Sequence, residues 1–183
     1  MQLGWLAPWR QGAYASINRS DAKVLRIFIL GPFRSLDNSK RDFNRLTTLK
    51  KHLTELGYDS FLSVDRDTAG KVDLRKLSPR QKTLKLVRFA DLNLFIFTKT
   101  GIRNGLVAEL TEVQAKYPGL AWKHVVLLEK DLGLSSILDE SRGGIMSVGL
   151  LKQMVFDNDW ELLEAAEQVA YNYTLAKATG TKP

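Results

Sequence analysis

The chain contains no cysteine. A disulfide framework, a thiolate zinc site and a cysteine nucleophile are therefore excluded. Two histidines, His52 and His124, leave little from which to build a histidine metal cluster, so zinc-hydrolase and serine-triad chemistry both recede, and neither a metal nor a cofactor is expected. No apolar run approaches the about 18 residues that a bilayer-spanning helix needs, and Met1-Gln2-Leu3-Gly4-Trp5 lacks the basic and apolar regions of a signal peptide. The expectation is a soluble, cytoplasmic protein without membrane contact. Proline (5) and glycine (13) are too sparse for a low-complexity chain.

What is present suits one compact domain: 183 residues, 44% hydrophobic and 26% charged. The net charge of +7 favours anionic partners, and much of the excess is local. Lys71, Arg75, Lys76, Arg80, Lys82, Lys85 and Arg88 face only Asp73, which is either a solvated helix face or a nucleic-acid contact. Residues 1–23 hold Trp5, Trp9 and Tyr14 without sustained periodicity and read as an irregular arm; residues 24–177 form the domain and 178–183 a flexible tail. Exposed tryptophan at that density is unusual, so the arm is expected to pack on the domain or on a second subunit of a homo-oligomer.

Within the domain, strands and helices alternate. Residues 24–30 are an apolar, β-branched run stopped by Gly31-Pro32, and 39–56 carry Phe43, Leu46, Leu49, Leu53 and Leu56 at helical spacing before Gly57. A second strand is predicted over 59–65, a helix opened by Ser78-Pro79 to about Phe89, and a third strand over 91–97. A helix over 105–117 and a fourth strand over 123–129 follow; then come a Gly- and Ser-rich connection with one turn near 136–139, a short strand over 153–156 and a capped helix over 160–176. That helix is expected to bury Trp160, Leu163, Ala166, Ala170 and Tyr173, while His52 is expected to face solvent and His124 to sit at the core edge. The alternation predicts a three-layer α/β/α Rossmann-like (flavodoxin-like) domain with a mostly parallel five-stranded sheet in the order 2-1-3-4-5.

In such sheets ligands bind beyond the carboxyl ends of the strands at the switch point, here between the first and third strands. That selects Gly31, Pro32, Phe33 and Arg34, where a glycine admits close approach and an arginine can fork onto a phosphate, although a plain strand-to-helix turn would look the same. It also selects Asp65, a candidate for a ribose hydroxyl or base edge. In 98–110, Arg103, Asn104 and Gly105 lead into a helix whose amino end can hold an anion, assisted by Lys99. Glu109 stands among Leu106, Val107, Ala108 and Leu110, a costly place for a carboxylate unless it is paired or used.

Three short motifs carry a resemblance: Ile27-Phe28-Ile29-Leu30-Gly31-Pro32-Phe33, the Ala90-Asp91 entry to the third strand, and Gly105-Leu106-Val107-Ala108-Glu109-Leu110. On these the chain resembles the nucleoside 2-deoxyribosyltransferase-like superfamily, with its deoxynucleotide N-hydrolase and TIR-like NAD-cleaving relatives, from about Val24 to Glu129. The resemblance implies that Glu109 is a nucleophile at the sugar C1′ in glycosidic-bond cleavage or transfer. It implies a nucleoside, nucleotide or NAD-like ligand and a site completed across subunits. At Arg103, Leu106 and Thr111 the chain departs from the family's Asp, Thr and Gly, which points either to a more phosphorylated ligand or to a nucleotide-binding sensor that has lost catalysis. Arg103, if near, would keep Glu109 ionised. A nucleic-acid-associated module using 71–88 is the third alternative.

Overall fold

The structure, a computed structural model, describes residues 25–65, 74, 77–102, 104–132 and 152–181. The predicted arm, the predicted turn near 136–139, the far end of the tail and Lys71, Arg75 and Lys76 of the basic stretch lie outside them. The elements are β1 (Arg26–Leu30), α1 (Arg41–Glu55), β2 (Asp59–Leu62), α2 (Pro79–Phe89), β3 (Leu92–Phe97), α3 (Asn104–Lys116), a 3₁₀ helix (Pro118–Lys123), β4 (His124–Glu129), β5 (Lys152–Phe156) and α4 (Asp159–Thr179). The sheet has the predicted order β2-β1-β3-β4-β5, and every pairing is parallel.

Alternation along the strands builds the two halves of the core. Ile27, Ile29, Leu94, Ile96, Val125 and Leu127 face α1 and α4, where they meet Leu46, Leu49, Leu53, Ala166 and Tyr173. Phe28, Leu30, Phe95, Phe97, Val126 and Leu128 face α2 and α3, against Leu84, Val87, Leu106 and Leu110. A sheet covered on both sides needs strands that are apolar at nearly every position, and β3 is buried throughout with Asn93 as its one polar residue.

The ends of the elements are set by side chains. Ser78 accepts from the Gln81 amide at 3.3 Å while Gln81 accepts from the Ser78 amide at 2.9 Å, closing a capping box with Pro79 in the first turn of α2. Asn158 caps α4 by accepting from the Glu161 amide at 3.0 Å. Gly57 turns the chain after α1 at φ 97°, a region closed to most side chains.

Several boundaries and faces differ from the sequence expectation. β2 ends at Leu62 rather than 65, because Asp65 folds back and its carboxylate accepts the Leu62 amide at 2.6 Å. The predicted stop after α3 is a further 3₁₀ turn with Ala121 in the core. In α4, Ala166, Ala170 and Tyr173 are buried as expected, but Trp160 is exposed and Leu163 only half-buried, and Leu162, Ala165 and Val169 share the inward face; apolar residues lie all around this helix, so spacing alone does not select a face. His52 is not solvent-facing: its Nε2 lies 3.0 Å from the buried Glu167 carboxylate, where α1 crosses α4. His124 is fully buried, its Nδ1 3.2 Å from Asn93 Nδ2 on the neighbouring strand. Burial pushes its pKa down from 6.5 to about 4.

Candidate active site

In a parallel sheet every strand ends on the same edge and every following helix begins there, so the segment after β1, the segment after β3 and the first turns of α2 and α3 share one end of the molecule. The first two segments meet. Ser35 and Gly101 form an antiparallel bridge, the Leu36 amide donates to Thr100 O at 2.6 Å, and the Ile102 amide donates to Arg34 O at 2.9 Å. The approach is close enough to require glycine: a Cβ on Gly101 would stand 2.2 Å from Pro32 Cγ and 2.5 Å from Thr98 Oγ1.

A buried carboxylate holds this crossing in place. Asp42, in the first turn of α1 and only 1% exposed, accepts from Ser35 Oγ at 2.5 Å and from Thr100 Oγ1 at 3.1 Å, and its own amide donates to Ser35 Oγ at 3.2 Å. Glu129, at the end of β4, braces the same loop by accepting the Lys99 amide at 2.7 Å. Its Oε2 also lies 3.2 Å from Arg45 Nη1. Arg45 is itself buried, its Nε 2.6 Å from Asp159 and its guanidinium above the Phe156 ring.

The predicted residues fall around this frame in different states. The space beside Gly31 is filled by Leu46, whose Cδ2 would lie 2.6 Å from an added Cβ. Pro32 is buried against Gly101; Phe33 is exposed and tilted over Phe43 at 6.0 Å; Arg34 is exposed. Both Asp65 oxygens are engaged, Oδ2 by the Leu62 amide and Oδ1 by Lys50 Nζ at 2.8 Å. Asn104 and Gly105 are exposed in the first turn of α3, and an added Cβ on Gly105 would meet nothing within 4 Å. Arg103 lies outside the described residues. In the described part of the basic stretch, Arg80 pairs with Glu112 and Arg88 stacks on Tyr117, while Lys85 is exposed.

Glu109 sits in the second turn of α3, turned toward α2 and half-buried, and Thr83 Oγ1 donates to its Oε1 at 3.2 Å. Among the described residues Oε2 meets no donor and no cation approaches the carboxylate. Burial raises its pKa above the ordinary glutamate value; the Thr83 hydroxyl pulls it partly back, and the nearby Glu112 carboxylate adds to the rise. A partly desolvated carboxylate whose donor among the described residues is a neutral hydroxyl gains from meeting positive charge.

Thr83, Asp42 and Glu129 are not among the residues that the sequence pattern singles out. Thr83 carried a signal, since it lies four residues before buried Val87 on the inward face of α2, a polar residue at a core position. Asp42 and Glu129 gave none, because their partners lie on segments remote in sequence. Among the described residues no group of three or more acidic or histidine side chains could hold a metal ion, and no helix is long and apolar enough to cross a membrane.

No protein-family model matches the chain, and no curated protein matches it in sequence. Among solved structures it is similar to that of a Clostridium botulinum CMP N-glycosidase, BcmB, with a TM-score of 0.50 and 16% identity, over 79% of this chain and 98% of that one. At that identity the likeness is one of fold, and it agrees with the three-layer α/β/α architecture.

Proposed function

We propose that this chain is a nucleotide- or nucleoside-handling enzyme that cleaves or transfers at an N-glycosidic bond, with Glu109 as the group that meets the sugar C1′. The observation that carries the proposal is the state of Glu109: a half-buried carboxylate near the carboxyl edge of the sheet, held among the described residues by the Thr83 hydroxyl through Oε1. Breaking an N-glycosidic bond builds positive charge on C1′ and its ring oxygen. A carboxylate already stripped of water has more to gain from that charge than a solvated one, so the interaction grows toward the transition state.

In the covalent form of the step, Oε2 bonds to C1′ as the C1′–N bond breaks, and the base leaves with that electron pair and takes a proton from water. A second oxygen nucleophile, water or an acceptor hydroxyl, then attacks C1′ as it gives its proton to the hydroxide left by the first step, and the C1′–Oε2 bond breaks to free the carboxylate. Thr83 is the positioning residue, since its hydroxyl fixes Oε1 and leaves Oε2 for carbon. The shared fold with a CMP N-glycosidase and the motif resemblance around Gly31 and Glu109 support the same reading.

The test is incubation of the purified protein with nucleosides, nucleoside monophosphates including CMP, and NAD, followed by chromatography for free base. Release should fall on the order of 10³-fold or more in Glu109→Gln. Because the folded protein raises the Glu109 pKa, the ionised group opposes folding above that pKa, so at neutral pH the variant should melt no lower than the parent. Undiminished release in the variant rejects Glu109. No release by the parent, together with a nucleotide-induced rise in melting temperature, would replace the enzyme by a nucleotide sensor.

A further inference from the structure

Beside the Thr83–Glu109 contact, α2 and α3 are joined a second time. Arg80 and Thr83 stand three apart on α2, and Glu109 and Glu112 three apart on α3, so the members of each pair share one helical face. Thr83 donates to Glu109, and Arg80 Nε meets Glu112 Oε2. The Arg80 side chain stands largely in solvent, whereas that of Glu112 is largely covered. The other described cations of this layer are turned elsewhere. Arg88 and Lys116 lie over the Tyr117 ring, and Lys99 Nζ is 3.9 Å from Asp131 Oδ2. Helical spacing puts Lys82 and Lys85 on the far side of α2 from Arg80 and Thr83. Among the described residues Arg80 is therefore the cation set against Glu112.

An ion pair this exposed adds little stability, so its effect lies in the charge it governs. Glu112 stands close enough to Glu109 to disfavour a second negative charge there, and the half-buried setting of Glu109 screens that repulsion less than open water would. Resting on the glycosidic reading of Glu109, we propose that Arg80 and Glu112 are its positioning residues: Arg80 ties α2 to α3 beside the Thr83 contact and cancels the charge of Glu112, which leaves Glu109 available as an anion for the charge that grows on C1′. A tie between helices and a setting of charge have different consequences. If the pair only joins the helices, breaking it from either side has one and the same effect. If it sets charge, removing the cation and removing the anion act on Glu109 in opposite directions.

The full-length protein is labelled with carbon-13 at its glutamate carboxyl carbons, the Glu109 resonance is assigned by its loss in Glu109→Gln, and its titration is followed by nuclear magnetic resonance at low ionic strength. In Arg80→Met the uncompensated Glu112 should move the Glu109 midpoint up, and in Glu112→Gln the midpoint should move down, the two separating by roughly half a pH unit. Arg80→Lys keeps the charge and should stay with the parent, and added potassium chloride should draw the midpoints together. The acid limb of base release should be displaced in the same order. The two substitutions lie on different helices, so misfolding of one leaves the direction of the other to decide. Midpoints that move the same way in both variants, or that do not move, overturn the proposal. If the parent releases no base, the glycosidic reading of Glu109 fails, while the carbon titration still decides whether the pair sets its charge.

Discussion

Replacing Asp42 by alanine tests whether the crossing of the two loops is held by that one carboxylate. The substitution deletes the hydrogen bonds that Ser35 Oγ and Thr100 Oγ1 donate to the carboxylate, at a position 1% exposed. Such bonds contribute about 1.5–3 kcal/mol each, and the stranded Ser35 hydroxyl is fully buried. Against this, the variant no longer has to bury a carboxylate. The net expected loss is about 3 kcal/mol, or roughly 10 °C in melting temperature for a domain of this size. Asp42→Asn keeps the shape and one acceptor oxygen and should lose about 1 kcal/mol. Urea unfolding followed by circular dichroism gives both values. Thr100→Val completes a cycle: it should cost about 1–2 kcal/mol in the parent and close to nothing in Asp42→Ala. If Asp42→Ala unfolds within about 0.5 kcal/mol of the parent, or Thr100→Val costs the same in both backgrounds, the clamp is wrong.

Two further outcomes follow from the packing. His124 stays neutral when folded because its pKa falls to about 4, so between there and 6.5 the unfolded chain binds a proton that the folded chain refuses; stability should be full above pH 6.5 and decline by about 3 kcal/mol as pH falls to 4. His124→Leu should flatten that part of the urea-midpoint profile, and an unchanged slope would remove His124 as its cause. Gly101→Ala drives a methyl group into the Pro32 ring and should cost about 2–3 kcal/mol in unfolding experiments, whereas a parent-like melting temperature would mean that the loops do not cross so closely.

The strand order was legible because it follows from alternation and crossover handedness, both carried by many residues at once. Places where one side chain overrules its neighbours were not legible. Asp65 ends β2 by accepting a backbone amide three residues back, against the apolar pattern that continues to Val64. Trp160 looked like the start of a buried stripe yet points outward, since a helix rich in alanine and leucine on several faces has no single stripe to follow. At the candidate site, Glu109 stood out because a carboxylate amid apolar residues is conspicuous in one line of text. Its partner Thr83 lies 26 residues earlier and becomes its neighbour only when α2 and α3 pack side by side.

The Ser35–Gly101 bridge joins segments that belong to different layers: one leads into α1 on one side of the sheet, the other into α3 on the opposite side. The sheet otherwise keeps these layers apart, so the bridge acts as a strap over the seam between β1 and β3. Widening that seam means breaking the two hydrogen bonds that the Leu36 and Ile102 amides donate to Thr100 O and Arg34 O. The room available at the switch point and the local stability of the strap are thus one quantity, and the exchange rates of those two amides measure it.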